Sequence, residues 1–156
     1  MMVEYMEKAI EEACKGVKAG DGGPFGAVIV SDGKIISTGH NMVLVSNDPT
    51  MHAEVVAIRN ACKKRGHFDL SGCTLYTSCY PCPMCMGAAL WARLDAIYYA
   101  ATPEEASMAG FDDKPFHDFL KNPCSDEKRK LEHLAVSDSK RPFELWVQRP
   151  DKTIRY

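Results

Sequence analysis

The sequence predicts an α/β fold: three layers, α/β/α, around a mixed, mostly five-stranded sheet. Three observations predict it. A helical stripe precedes a tight-turn hairpin, a strand–helix–strand unit with short joints follows, and a further helix start lies between the two. Met6, Ala9, Ile10, Ala13 and Val17 recur at helical spacing, and the glycine-rich run 20–24 stops that helix. Residues 26–30 form a short apolar run, and Asp32-Gly33 makes a tight turn into a second strand over 34–39. Residues 47–50 read as a helix start. There Asp48 serves as cap and Pro49 suits the first helical position, where its missing N–H would be unpaired anyway. That helix continues through Val55, Ile58 and Cys62 and ends before Gly66. Next come a strand over 73–78, a helix over 83–92 and a strand over 95–100. Strand, helix, strand with short joints implies parallel pairing and helices on the sheet faces. After Ala101 the pattern is less regular: 131–136 is expected as a last strand, 142–148 as a last helix, and the mixed-sign run 126–130 as a solvated helix face. No repeat, low-complexity tract or linker interrupts the chain, so 1–156 is expected to be one domain.

The composition narrows the function classes. A chain of 156 residues, 46% hydrophobic and 26% charged, buries enough surface to fold without disulfide staples. Its net charge of -2 leaves no basic excess to neutralise phosphates, which argues against a nucleic-acid partner. Glu4, Glu7 and Lys8 break what would be the apolar core of a secretory signal. The uncharged stretch from 70 to 92 is interrupted by prolines and glycines, so it reads as protein interior and no membrane is expected. Seven cysteines, an odd number without an export signal, point to reduced thiols or metal ligands and to the cytoplasm.

Two segments carry chemistry: His52-Ala53-Glu54 and Pro81-Cys82-Pro83-Met84-Cys85. Pro83 sets a first helical position, so Cys82 is the cap and Cys85 lies in the first turn. Both sulfurs then sit at the positive end of the macrodipole, which favours thiolate. Two thiolates three residues apart can share one tetrahedral Zn²⁺. With His52 as third ligand the fourth position stays open for water, the catalytic pattern, and Glu54 beside it is the natural general acid/base. Either motif alone is a weak signal; in this order, each at a helix start, they match the zinc-deaminase signature. Cys79 makes a second CxxC with Cys82, but it lies at the strand end before Pro81, and Cys85 is preferred. A structural zinc module closed by Cys79 is the reading from another class; a redox dithiol would leave His52 and Glu54 unexplained. Cys14, Cys62, Cys73 and Cys124 lack partner spacing, and His40, His67, His117 and His133 read as surface or loop residues, with His40, next to Asn41, standing out.

Together with Gly23-Pro24-Phe25-Gly26-Ala27, Asn41 and Asn47-Asp48-Pro49-Thr50, these motifs resemble the cytidine deaminase-like superfamily, and within it the small bacterial guanine deaminases. The similarity runs nearly end to end, through Gly110-Phe111-Asp112-Asp113 to Tyr156. The resemblance implies one zinc per subunit on His52, Cys82 and Cys85, with Glu54 shuttling protons. It implies hydrolytic deamination of guanine to xanthine and ammonia. It assigns Asn41 to hydrogen-bond the purine, Phe25 and the Ala53 backbone to frame the pocket, and Trp91, Asp113 and Tyr156 to complete it. It further implies a homodimer that exchanges its C-terminal segment. One residue departs from the pattern: where these relatives usually carry Glu between Cys79 and Pro81, this chain has Tyr80.

Overall fold

A computed structural model describes residues 2–151. Helix α1 (Met2–Ala19) ends where Gly20 turns to a φ of 75°. Its buried stripe is Ala9, Glu12, Ala13 and Gly16, while Ile10 and Val17 face solvent. The stripe is narrower and smaller-sided than the apolar periodicity suggests, because the helix lies directly on the backbone of the first strand. A Cβ added at Gly26 would collide with the Ala9 carbonyl and the Ala13 nitrogen.

Strands β1 (Gly26–Ser31) and β2 (Lys34–His40) form the expected antiparallel hairpin. Its turn uses Asp32 and Gly33, both at positive φ (48° and 71°), the pairing that matches strand twist. Strand β3 (Cys73–Cys79) runs antiparallel to β1, and β4 (Ala96–Ala101) runs parallel to β3 after the crossover helix α4 (Pro83–Trp91). The mixed sheet therefore has the order β2-β1-β3-β4. Side chains alternate across it. Ala27, Ile29 and Leu75 meet Ala53, Ala57, Ala61, Ala89 and Ala92, from α3 (Ala53–Arg65), α4 and its C-cap. Val28, Val30 and Tyr76 meet Ala9, Tyr5 and Met6 of α1 on the other face. The three layers are as the sequence predicts.

Three expectations about the elements are corrected. The sheet has four strands among the described residues, not five: residues 131–136 are irregular, with Leu131 and Leu134 67% and 83% exposed. A strand is stabilised by ladder pairing and one buried face, and this segment has neither. The helix after β2 starts at Ala53, not at 47–50. Asp48 Oδ1 instead accepts from the Thr50 nitrogen and hydroxyl (2.8 and 2.7 Å), an Asx turn that competes with helix initiation. Between β2 and this turn sits the single-turn helix α2 (Val43–Ser46). The helix does end at Gly66, whose φ of 70° closes it.

The chain divides into two compact units, Met1–Lys114 and Pro115–Tyr156. The first continues past β4 with α5 (Pro103–Met108), whose start is a capping box between Thr102 and Glu105. Helix α6 (Lys114–Lys121) begins at the boundary, and α7 (Arg141–Val147), where the last helix is expected, is the final helix among the described residues. The run 126–130, expected as a solvated helix face, lies outside any helix: Asp126 Oδ2 accepts from both Nε and Nη2 of Arg129 (2.9 and 2.6 Å), and its Oδ1 takes the backbone amides of Lys128 and Arg129 (2.8 and 2.7 Å) in a local turn. No helix among the described residues is long and apolar enough to cross a membrane.

A candidate metal centre between two helix N-termini

His52 and Cys82 occupy equivalent places: each is the N-cap of a helix, with extended backbone (φ -70°, ψ 154° and φ -64°, ψ 167°). Neither side chain caps its own helix. Both point instead into the gap between the two helix starts, where the Sγ atoms of Cys82 and Cys85 each lie 3.5 Å from His52 Nδ1. Pro83 heads α4 at its first position and Cys85 follows in the first turn, as the spacing predicts. Two helix N-termini thus direct their unpaired N–H groups and positive dipole ends at one point.

The three ligand atoms lie within 4.8 Å of one another. Zn–S and Zn–N bonds of about 2.3 and 2.0 Å at tetrahedral angles give S···N edges of about 3.5 Å, so the donor set fits zinc in kind and in spacing. Cys79 does not join it. Its sulfur faces the Thr102 carbonyl at 3.8 Å, and the cluster has three protein ligands among the described residues. Three ligands, not four, is the pattern of a site that works on a bound molecule.

Electrostatics agree with the geometry. Its interaction with Cys85, and after that its bond with His52, hold Cys82 well below the ordinary thiol range. The same interaction with Cys82, together with burial and the Glu54 carboxylate, pushes Cys85 up. His52 is raised, first by its bond to Cys82.

Glu54 sits in the first turn of α3 and is 5% exposed. Because His52 is extended and not helical, ideal helix geometry does not separate the two side chains, and Glu54 Oε2 comes within 3.3 Å of Cys85 Sγ. Oε1 accepts a 3.0 Å bond from Thr77 Oγ1. Burial raises the Glu54 pKa above the usual carboxylate value, against the opposing hydrogen bonds from its own N–H, Cys85 and Thr77. A carboxyl raised toward neutrality and fixed beside a metal cluster suits two-way proton transfer. Thr77 is a residue that the sequence reasoning missed. Its signal was a hydroxyl on the inward face of a strand, two residues after Leu75, where an apolar side chain is the norm.

The other expected site residues fall into groups. Asn41 is 4% exposed; its Oδ1 accepts from the amides of Gly23 (3.2 Å) and Val43 (3.1 Å), and its own N–H donates to the Phe25 carbonyl (2.9 Å). With Oδ1 so engaged, the carboxamide is oriented with its NH₂ as the free-facing donor. Phe25 packs edge-on against Phe111, centroids 4.9 Å apart. Ala53, fully buried, heads α3, so its N–H is one of the donors without an intrahelical partner. Asp113 lies close enough to Cys79 for its charge to act on that thiol. Trp91 is placed elsewhere: it ends the nine-residue helix α4, about 13 Å along the axis from Cys82, and is 66% exposed. Tyr156 lies outside the described residues.

The profile of the cytidine and deoxycytidylate deaminase zinc-binding region matches residues 2–101, from α1 to the end of β4. The chain belongs to this family. It is 49% identical over 142 residues to a guanine deaminase of Bacillus subtilis, covering 91% of each chain. A tRNA-specific adenosine deaminase of the same organism is 39% identical over 106 residues, 68% of this chain and 65% of that one. Among solved structures, the crystal structure of guanine deaminase from Bacillus subtilis superposes with a TM-score of 0.93 at 46% identity, covering 98% of both chains. A guanine deaminase from Nitrosomonas europaea gives a TM-score of 0.67 at 33% identity, covering 71% of this chain and 64% of that one. The superfamily resemblance, the α/β class and the zinc cofactor read from the sequence are all borne out.

Proposed function

We propose that the protein is a zinc-dependent deaminase that hydrolyses guanine to xanthine and ammonia. One observation carries this reading: the 142-residue match to a guanine deaminase is longer than the first unit, so it extends into the C-terminal one. The tRNA deaminase match spans only 106 residues.

His52, Cys82 and Cys85 would hold the metal. Bound there, zinc supplies the Lewis acidity that makes water nucleophilic at neutral pH. Glu54 takes a proton from the attacking water and passes it to the ring nitrogen beside the amine-bearing carbon. It then delivers the water's second proton to the departing amine, so that guanine and water become xanthine and ammonia and the carboxylate is restored. Thr77 fixes the Glu54 oxygen from behind. Asn41 donates its NH₂ to the purine, Phe25 and the Ala53 N–H border the ring, and Asp113 and Tyr156 are the remaining expected contacts. The substrate is a small purine base. The two units work as one deaminase domain of a cytoplasmic homodimer, with the C-terminal segment, including Tyr156, exchanged between subunits.

Ammonia release by the zinc-loaded protein from guanine, guanosine, cytosine, ammeline and a tRNA anticodon stem-loop tests this. A strong preference for guanine is expected. Preference for another base would keep the chemistry and move specificity to Tyr80. Silence on all five with zinc bound would overturn the enzyme reading.

A further inference from the structure

His40 ends β2 next to Asn41 and takes no part in the chemistry above. Its ring is nonetheless built in on three sides. Nε2 lies 2.7 Å from Asp21 Oδ2, and a carboxylate can only accept, so Nε2 carries the proton. Nδ1 faces Glu12 Oε2 of α1 at 3.7 Å, and Glu12 is itself 7% exposed. The third wall is α1's own backbone: a Cβ added at Gly16 would stand 2.7 Å from His40 Cδ2. Glycine weakens a helix interior relative to alanine, so its presence in this buried turn needs a reason, and the imidazole supplies one.

Asp21 leads to the pocket. Its main-chain carbonyl accepts from the amides of Leu44 and Val45, both at 3.0 Å, and so anchors α2. Two residues on, the Gly23 amide donates to Asn41 Oδ1, and the Val43 amide does the same from α2. The two segments of this lattice, 21–25 and 40–45, carry Phe25 and Asn41. The His40–Asp21 pair ties these two segments to each other, and Glu12 and Gly16 set the same imidazole against α1.

We infer that His40, held by Asp21 against Gly16, is a positioning residue that fixes the Asn41 carboxamide for donation to the substrate. It acts on binding through Asn41, not on the metal or on proton transfer. The inference rests on the guanine-binding reading of the site.

The test is steady-state kinetics with guanine on His40→Gln and Asp21→Asn, with zinc content and melting temperature measured alongside. KM should rise roughly three- to tenfold, the effect of one oriented hydrogen bond, while kcat and one zinc per chain are kept. In an Asn41→Ala background His40→Gln should add nothing further, since both act through one group. Gly16→Ala gains helix propensity yet crowds the ring, so it should raise KM in a chain that still folds. Unchanged KM in folded His40 and Asp21 variants, a loss lying in kcat or in zinc, or full additivity with Asn41→Ala would each overturn the inference alone. A wild-type chain inert toward guanine would overturn it together with the reading beneath it.

Discussion

Replacing Glu54 by Gln keeps the volume of a side chain that is 5% exposed and can keep the 3.0 Å bond from Thr77, because the amide oxygen accepts as the carboxylate did. What it removes is the capacity to take and return a proton. General acid–base catalysis contributes about 10²–10⁴-fold, and Glu54 serves two transfers, so kcat should fall by about 10⁴. That is about 5.5 kcal/mol of barrier at 1.36 kcal/mol per tenfold. Stability should move the other way or not at all. The folded-state pKa of Glu54 is raised, so folding penalises the charged form at neutral pH, and an uncharged isostere escapes that penalty. The assay is ammonia release at saturating guanine, with zinc measured on the denatured variant and a thermal melt. One zinc per chain, an undiminished melting temperature and about 10⁴-fold lower turnover are expected. Turnover within tenfold of wild type at full zinc content would remove Glu54 from the proton path. Loss of zinc would make it a metal ligand.

Three further outcomes follow from the same geometry. Thr77→Val removes a hydrogen bond that favours the ionised form of Glu54, so the base should need higher pH to lose its proton; the acid limb of kcat/KM should shift upward with kcat reduced about tenfold, and an unmoved limb would deny the contact a role. Cys79→Ser should retain one zinc per chain, because that sulfur faces the Thr102 carbonyl; metal loss on dialysis would instead indicate a closed structural site. Zinc affinity should weaken on acidification. The His52 pKa is raised above 6.5, so protons compete for Nδ1 already from near neutrality, and Kd should rise about tenfold for each pH unit per proton displaced, read by chelator competition.

Much of this was legible in the sequence, for reasons that differ between segments. The Asp32-Gly33 hairpin and the Pro83 helix start are local chemistry: positive φ and a missing N–H act within a few residues whatever surrounds them. The ligand triad was legible because two short motifs must converge for either to make sense. The start of α3 was misplaced since Asp48 and Pro49 satisfy the rules for a cap as well as those for a turn, and only the cluster's demand on His52 decides between them. Thr77 and the His40–Asp21 pair were hidden because their partners lie 23 and 19 residues away, a separation no periodicity encodes. The last strand failed because its apolar residues need a covering surface that local sequence does not supply.

The alanine lining between the sheet and helices α3 and α4 has a consequence for how the protein can change over generations. Ala53, Ala57 and Ala61 are fully buried, and a Cβ added at Gly39 would stand 2.6 Å from both the Ala53 carbonyl and the Ala57 nitrogen, so β2 leaves α3 no room for a methyl group there. Growth at Gly39 would press β2 and α3 apart, and α3 carries Glu54, whose bond to Thr77 depends on that spacing. The opposite face, filled by Val28, Val30, Tyr76 and Met6, can exchange one large side chain for another with little strain. Variation tolerated by a library should therefore collect beneath α1, while the layer under α3 keeps its smallest residues. New substrate preferences would be reached through the loops around Asn41 and Tyr80 and not through the packed layer that sets the reach of the general base.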